Sequence, residues 1–389
     1  MNFDVIIVGG GIAGLSCAVG LAEKNLHIAV IEAKKIPIFD SKFDIPDRVS
    51  AINTSSEILL ERLGAWNYLD SNRVSLYTNM NVWDHNSSAR LSFSSTEISE
   101  SNLGYIIENN NIISALKSKV DDLDIAVFES AIISSINNDD IGVVVNLKNG
   151  TKMSARLLVG ADGANSYVRK HFPFVENTKP YGHDAIIATM ETQIEHNNTA
   201  FQCFMNTGVM AFLPLYRENQ VSIVLSQQSD ISAKTMKLSS IEFNDVVTNL
   251  SQNILGKTIL LSLRKSFPLL QRNVDSYFKK RIVLVGDAAH TIHPLAGQGV
   301  NLALADVKSL IDIVGNANSK NRDYGHESTL YAYECERRMK NEVMIKSMQL
   351  IKNSFCHNNA ALSSMVSSGV NLIDSNSLLK KFFIKQAMG

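Results

Sequence analysis

After Asp4 the chain runs Val5-Ile6-Ile7-Val8, apolar at every position. A short unbroken run of this kind predicts a strand covered on both faces of a parallel sheet. Gly9-Gly10-Gly11 then breaks the run, and Ile12-Ala13-Gly14-Leu15 begins a helix. A second strand, His27-Ile28-Ala29-Val30-Ile31, ends on Glu32. Two similar units follow much later. Leu157-Leu158-Val159 leads into Gly160-Ala161-Asp162-Gly163, with Ser166 and Arg169 behind it. Ile282 to Val285 leads into Gly286-Asp287, a proline loop, and Gly297-Gln298-Gly299. The helix predicted after Gly299 repeats Val300, Leu304, Val307 and Ile311 at helical spacing and so packs along one face. Between these units, 174–272 alternates β-rich runs with polar turns: Ala185 to Met190, Phe201 to Phe204, Val209 to Leu213 and Val221 to Leu225. That pattern predicts a largely antiparallel sheet. Residues 316–328 read as a polar loop and everything from about 329 as helical.

Composition narrows the classes. The 389 residues carry a net charge of −1, which gives no electrostatic footprint for nucleic acid. Four scattered cysteines lack metal-ligand spacing and suit a reducing compartment. Asp4 interrupts the first apolar run, so no signal peptide is expected, and no run is long enough to span a bilayer. A cytoplasmic home is expected. The closing stretch "LLKKFFIKQAMG" mixes Leu378, Leu379, Phe382, Phe383 and Ile384 with Lys380, Lys381 and Lys385. Such a helix either docks on the protein with its lysines solvated or lies on the inner face of a membrane.

The opening unit carries chemistry. Gly9 allows a tight turn, Gly11 lets a pyrophosphate approach the backbone, and Gly14 permits close helix–strand packing. Free N–H groups at the helix start hold phosphate charge. Glu32 is placed to accept hydrogen bonds from an adenosine ribose and to repel a 2′-phosphate. The pattern therefore reads as a dinucleotide site. A plain NAD dehydrogenase would need nothing like the second and third units, and there is no second glycine fingerprint for a nicotinamide.

The three units together resemble the flavin-dependent aromatic hydroxylases, group A monooxygenases of the para-hydroxybenzoate hydroxylase type. "LGYIIENNNIISAL" (103–116) and "LYAYECERRMKNEVM" are similar to segments of the ubiquinone-biosynthesis hydroxylases within them. The resemblance runs from about residue 3 to the end. It implies an α/β fold: a Rossmann-like FAD-binding domain with an inserted β-rich substrate domain and a helical C-terminal tail. The boundaries expected are 1–75, 100–173 and 273–328 for the discontinuous FAD-binding domain. Residues 76–99 and 174–272 would form the substrate-binding sheet, and 329–389 the helical region.

Residue by residue, the resemblance implies that Gly9, Gly11, Gly14 and Glu32 take the ADP half of FAD. Arg48 and Asn109 fall where the family places cofactor contacts. Asp162 would serve FAD binding and access by reduced nicotinamide, and Asp287 would bond the ribityl chain. Gly299, Val300 and Asn301 would present backbone groups to the isoalloxazine ring. A helix start there aims N–H groups and a positive dipole end at the charge of reduced flavin. Pro294 would line the face where oxygen is activated. Asn110 departs from the arginine many relatives carry.

The activity implied is hydroxylation of a polyprenylated phenol on the way to ubiquinone, with NAD(P)H as transient reductant and O₂ reacting through a C4a-hydroperoxyflavin. Partner proteins of a ubiquinone-biosynthesis assembly and contact with the membrane surface through the tail are expectations of the same kind. The competing readings are a hydroxylase of a small soluble phenol and a non-catalytic flavoprotein scaffold. A flavin halogenase is disfavoured, since Trp66 and Trp83 are the only tryptophans and form no Trp-x-Trp signature. His290 and His293, three apart without a carboxylate in local register, suit structural roles better than catalysis or metal binding. Phe201, Phe204 and Phe212 are candidates for the pocket wall, with sheet-core packing favoured for each.

Overall fold

The computed structural model describes residues 1–42, 48–87, 89–291, 299–355 and 380–381. Its helices are α1 (Ile12–Ala22), α2 (Thr54–Arg62), α3 (Asn109–Asp122), α4 (Tyr167–His171), α5 (Ser229–Thr235), α6 (Ser240–Leu250), α7 (Gly299–Ser319) and α8 (Glu327–Phe355).

Val5–Val8 lies near the middle of a six-stranded sheet ordered Phe278–Lys279, Ile282–Leu284, Leu157–Gly160, Val5–Val8, Ile28–Ile31, Ala126–Phe128. All neighbours run parallel except the edge pair formed by Phe278–Lys279. Val5, Ile6 and Ile7 have no exposed surface, as both faces of a parallel sheet require. The strands that launch the three glycine units, at Val8, Gly160 and Leu284, are therefore adjacent. The fold places all three turns at the same, carboxyl edge of one sheet, where ligands bind in open α/β folds.

A nine-stranded, mostly antiparallel sheet forms the second lobe. Its order is His290–Thr291, Lys265–Val274, Glu176–Thr192, Gln220–Gln228, Gly208–Pro214, Thr199–Met205, Asn79–Asp84, Arg90–Ser94, with Thr258–Leu260 pairing beside Glu176–Thr192. The strand at Thr199–Met205 runs parallel to Asn79–Asp84, stitching two distant pieces of chain together. Its other edge strand, His290–Thr291, belongs to the loop that follows Gly286-Asp287, so the two lobes share backbone pairing.

Strand alternation assigns the faces of this sheet. Phe201, Cys203, Met210, Phe212, Ile223, Leu225 and Ile186 pack as one core with Phe243 and Val247 of α6. Phe201 and Phe212 are thus sheet-core residues beneath α6 and do not line a pocket toward the flavin side. Phe204 is on the alternate face. That face meets the small sheet of Val49–Ile52, Gly104–Glu108 and Val74–Tyr77, where Leu213 and Val224 cluster with Ala51 and Ile106. The helices α5 and α6 interrupt a region read from sequence as sheet and turns. A capping box, Ser239 with Glu242, starts α6.

Candidate active site

The first turn closes on itself. Gly9 has φ +112°, a conformation open to glycine, and a Cβ there would lie 2.4 Å from Ala161 O. A Cβ on Gly14 would lie 1.9 Å from Gly9 O. These two glycines are demanded by the protein's own packing. Gly11 differs: a Cβ there would meet nothing within 4 Å. Gly11 is also the N-cap of α1, and no side chain caps it, so the first N–H groups of the helix face that open space unpaired. Glu32 accepts from the Gly10 N–H at 2.7 Å and the Lys34 N–H at 2.9 Å, which fixes its carboxylate beside the turn with lone pairs to spare.

The second turn abuts the first. Ala161 N–H donates to Val8 O at 2.8 Å. Asp162 accepts from Ser166 Oγ at 2.5 Å and from the Tyr167 and Val168 N–H groups at 2.6 and 3.1 Å, so it caps α4. Burial raises its pKa and those hydrogen bonds pull it back down, leaving it above the ordinary aspartate value.

The third turn meets both. Gly286 has φ +57°, and a Cβ on it would lie 2.8 Å from Ala303 Cβ of α7 and 3.9 Å from Ala13 Cβ of α1. The three glycine turns are therefore one cluster. Arg169, 2% exposed, ties the later two together. It donates to Ala164 O at 2.7 Å, to Ala288 O at 2.8 Å and to Asp287 O at 3.5 Å. The Asp287 carboxylate takes no hydrogen bond from any described residue. Burial raises its pKa above the ordinary value, opposed by His290, Arg48 and Arg272. An ionisable acid in such a place lacks a donor, which a polyol chain supplies.

Around this cluster, Arg48 is exposed, with its guanidinium carbon 6.0 Å from the Phe267 ring centroid. Asn109 N–H donates to Arg48 O at 2.9 Å, and its Oδ1 accepts from Ser50 Oγ at 2.7 Å. Asn110 neighbours it, half-buried. Gly299 opens α7 with no atom within 4 Å of its Cβ position, Val300 packs on the core, and Asn301 uses its side chain elsewhere. Its Nδ2 donates to Ala51 O at 2.8 Å and its Oδ1 accepts from Asn53 N–H at 3.1 Å, pinning the start of α7 to the start of α2. Pro294 and His293 lie outside the described residues, as does most of the basic tail. Lys380 is described, and it pairs with Glu97 at 3.0 Å.

Behind the third turn is a network that the sequence showed only in part. Asp306, fully buried on α7, accepts from Gly286 N–H at 3.0 Å, His290 Nε2 at 2.6 Å, Arg337 Nε at 2.8 Å and Asn341 Nδ2 at 3.1 Å. His290 and Arg337 hold its carboxyl down at about 2 against the cost of burial. His290 is thus spent on structure. The signal for Asp306 was an acid set between the apolar positions Leu304 and Val307 of the helix.

An open glycine cradle at a helix start, an acid beside it, and an unpartnered acid in the adjoining third turn suit a dinucleotide bearing a polyol link. Fold and site together define a flavoprotein of the aromatic-hydroxylase architecture. The family described as an FAD binding domain matches residues 2–347, and the chain belongs to it. It is 32% identical to the 3-demethoxyubiquinol 3-hydroxylase of Escherichia coli K12, over 99% of this chain and 98% of that protein. It is 31% identical to the ubiquinone hydroxylase UbiL of Rhodospirillum rubrum, over 99% and 89%. Among solved structures, p-nitrophenol 4-monooxygenase PnpA from Pseudomonas putida DLL-E4 shares the fold at TM-score 0.80 and 15% identity, covering 100% of this chain and 98% of that one. The chain is an FAD-dependent hydroxylase. Among the described residues no helix is long and apolar enough to cross a membrane.

Proposed function

We propose that this enzyme hydroxylates the aromatic ring of a polyprenylated phenol in ubiquinone biosynthesis, using NAD(P)H and O₂. The observation that carries the reading is the convergence of the three turns at one edge of the parallel sheet, with Asp287 unpartnered among the described residues. The full-length similarity to hydroxylases named for ubiquinone intermediates directs the choice of substrate.

FAD supplies the redox chemistry: hydride acceptance from the nicotinamide and activation of oxygen. The chain's residues bind, orient and keep water out. Gly9 and Gly14 shape the turn, while Gly11 and the N–H groups of α1 take the pyrophosphate. Glu32 takes the adenosine ribose and Asp287 the ribityl hydroxyls. Arg48 and Asn109 stand beside the cofactor, and Asp162 orders the loop by which the nicotinamide approaches. Backbone N–H groups at Gly299, Val300 and Asn301, in the first turn of a helix, stabilise negative charge on the reduced ring. Pro294 borders the oxygen side. The nine-stranded sheet covers the ring and provides the substrate wall.

An absorption scan of the purified protein is expected to show bound flavin, and aerobic turnover with a short-chain prenylphenol to yield a hydroxylated ring. In a deletion strain, mass spectrometry should find an under-hydroxylated prenylphenol. Its absence, together with turnover of a small soluble phenol, would replace the substrate class. NAD(P)H oxidation that never yields product would leave a flavoprotein scaffold.

A further inference from the structure

Three charged side chains join the two lobes at a place no glycine motif marks. Glu176 begins the long central strand of the second lobe, and its carboxylate lies between two arginines. Oε2 accepts from Arg169 Nε and Oε1 from Arg272 Nε, each at 2.8 Å, while Thr178 Oγ1 donates to Oε1 at 2.5 Å. The arginine side chains are 1% and 9% exposed and that of Glu176 30%. Beyond Glu176, each guanidinium reaches a flavin loop. Arg169 holds Ala164 O, Ala288 O and Asp287 O, and Arg272 also donates to Ala164 O. Arg272 belongs to the large sheet, where its strand pairs with Thr291 and His290 of the third turn.

The arrangement has a mechanical consequence. Two guanidiniums this close repel each other, and burial strips them of water. The carboxylate between them is what lets both grip the same carbonyl. A shift of the large sheet moves Arg272, and through Glu176 and Ala164 it moves the loops that carry Asp162 and Asp287. We propose that Glu176, with Arg169 and Arg272, is the joint that keeps the large sheet in register with the two flavin loops, and that Glu176 is a positioning residue for oxygen transfer. The second half rests on the function proposed above.

The test is Glu176→Gln, which keeps the shape and removes the charge between the arginines. In the FAD-loaded protein, hydroxylated product formed per NAD(P)H oxidised is expected to fall at least about fivefold, while FAD affinity stays within about threefold. Glu176→Asp should recover part of the ratio. Hydrogen exchange supplies an arm that needs no substrate: amides at 160–166 and 286–291 should exchange faster together in the variant. If Glu176→Gln does not fold, Arg272→Lys, which keeps the charge and loses the fork, is read the same way. An unchanged ratio in folded, FAD-saturated protein overturns the positioning role, and unchanged exchange in both loops overturns the joint. Wild-type protein that makes no product from a prenylphenol sinks the substrate reading instead, and the exchange experiment still decides the joint.

Discussion

His290 Nε2 and Asp306 Oδ2 meet at 2.6 Å, and the same oxygen accepts the Gly286 N–H at 3.0 Å. One buried carboxylate thus sets the entry to the turn that presents Asp287. Asp306→Ala leaves Arg337 and His290 buried without their anion, a loss of about 3–5 kcal/mol. Chemical denaturation should show it, and FAD titration of the surviving folded fraction should show weaker binding. The pH dependence follows from the sign of the shift. Asp306 titrates near 2, below its ordinary 3.8, so its stabilisation is complete above 3.8 and is lost as pH falls from there through about 2. Asp306→Asn should flatten that part of the acid limb.

Asp287 behaves in the opposite sense. Its pKa is raised by burial, so in the absence of a bound polyol the ionised carboxylate costs stability at neutral pH, and the cost is relieved as pH falls through the raised value. Asp287→Asn is expected to raise the melting temperature of the apoprotein while lowering FAD affinity at least about tenfold. A variant that loses both stability and affinity would mean that the carboxylate serves the fold.

The glycine turns and their strands were legible in the sequence because backbone geometry admits few residues there: Gly9 and Gly286 at positive φ, Gly14 against a carbonyl. The apolar stripe of α7 was equally plain. The joint was not. Glu176 and Arg272 are 96 residues apart and meet only through antiparallel pairing, a register that no local pattern states. The helix α6 left a readable trace, Ser239 with Glu242 ahead of Phe243 and Val247, inside a region whose β-rich runs dominated. Asn301 shows another limit. Its position at the helix start was foreseen, but its side chain's grip on Ala51 and Asn53 depends on a contact 250 residues away.

Phe212 separates core from pocket. It has no exposed surface and packs under α6. Phe212→Ala should cost about 3–5 kcal/mol in denaturant unfolding. Substrate KM at a temperature where the variant stays folded should be unchanged. A KM that moves with Phe212 would put that ring in the pocket and overturn its assignment to the core.

Gly11 and Gly14 offer the sharpest contrast within the first turn, because the same substitution meets opposite surroundings. A Cβ at Gly14 collides with Gly9 O at 1.9 Å, and that neighbour is backbone, which cannot swing aside as a side chain would. Gly14→Ala should therefore destabilise the apoprotein before any ligand is added. A Cβ at Gly11 meets nothing within 4 Å, and its backbone carries no left-handed φ, so Gly11→Val should leave the apoprotein's melting temperature near wild type. Its side chain instead occupies the approach to the uncapped N–H groups of α1, where phosphate charge is best held. FAD affinity should drop at least about tenfold, measured by quenching of flavin fluorescence. Equal affinity for wild type and Gly11→Val would place the pyrophosphate somewhere other than this turn.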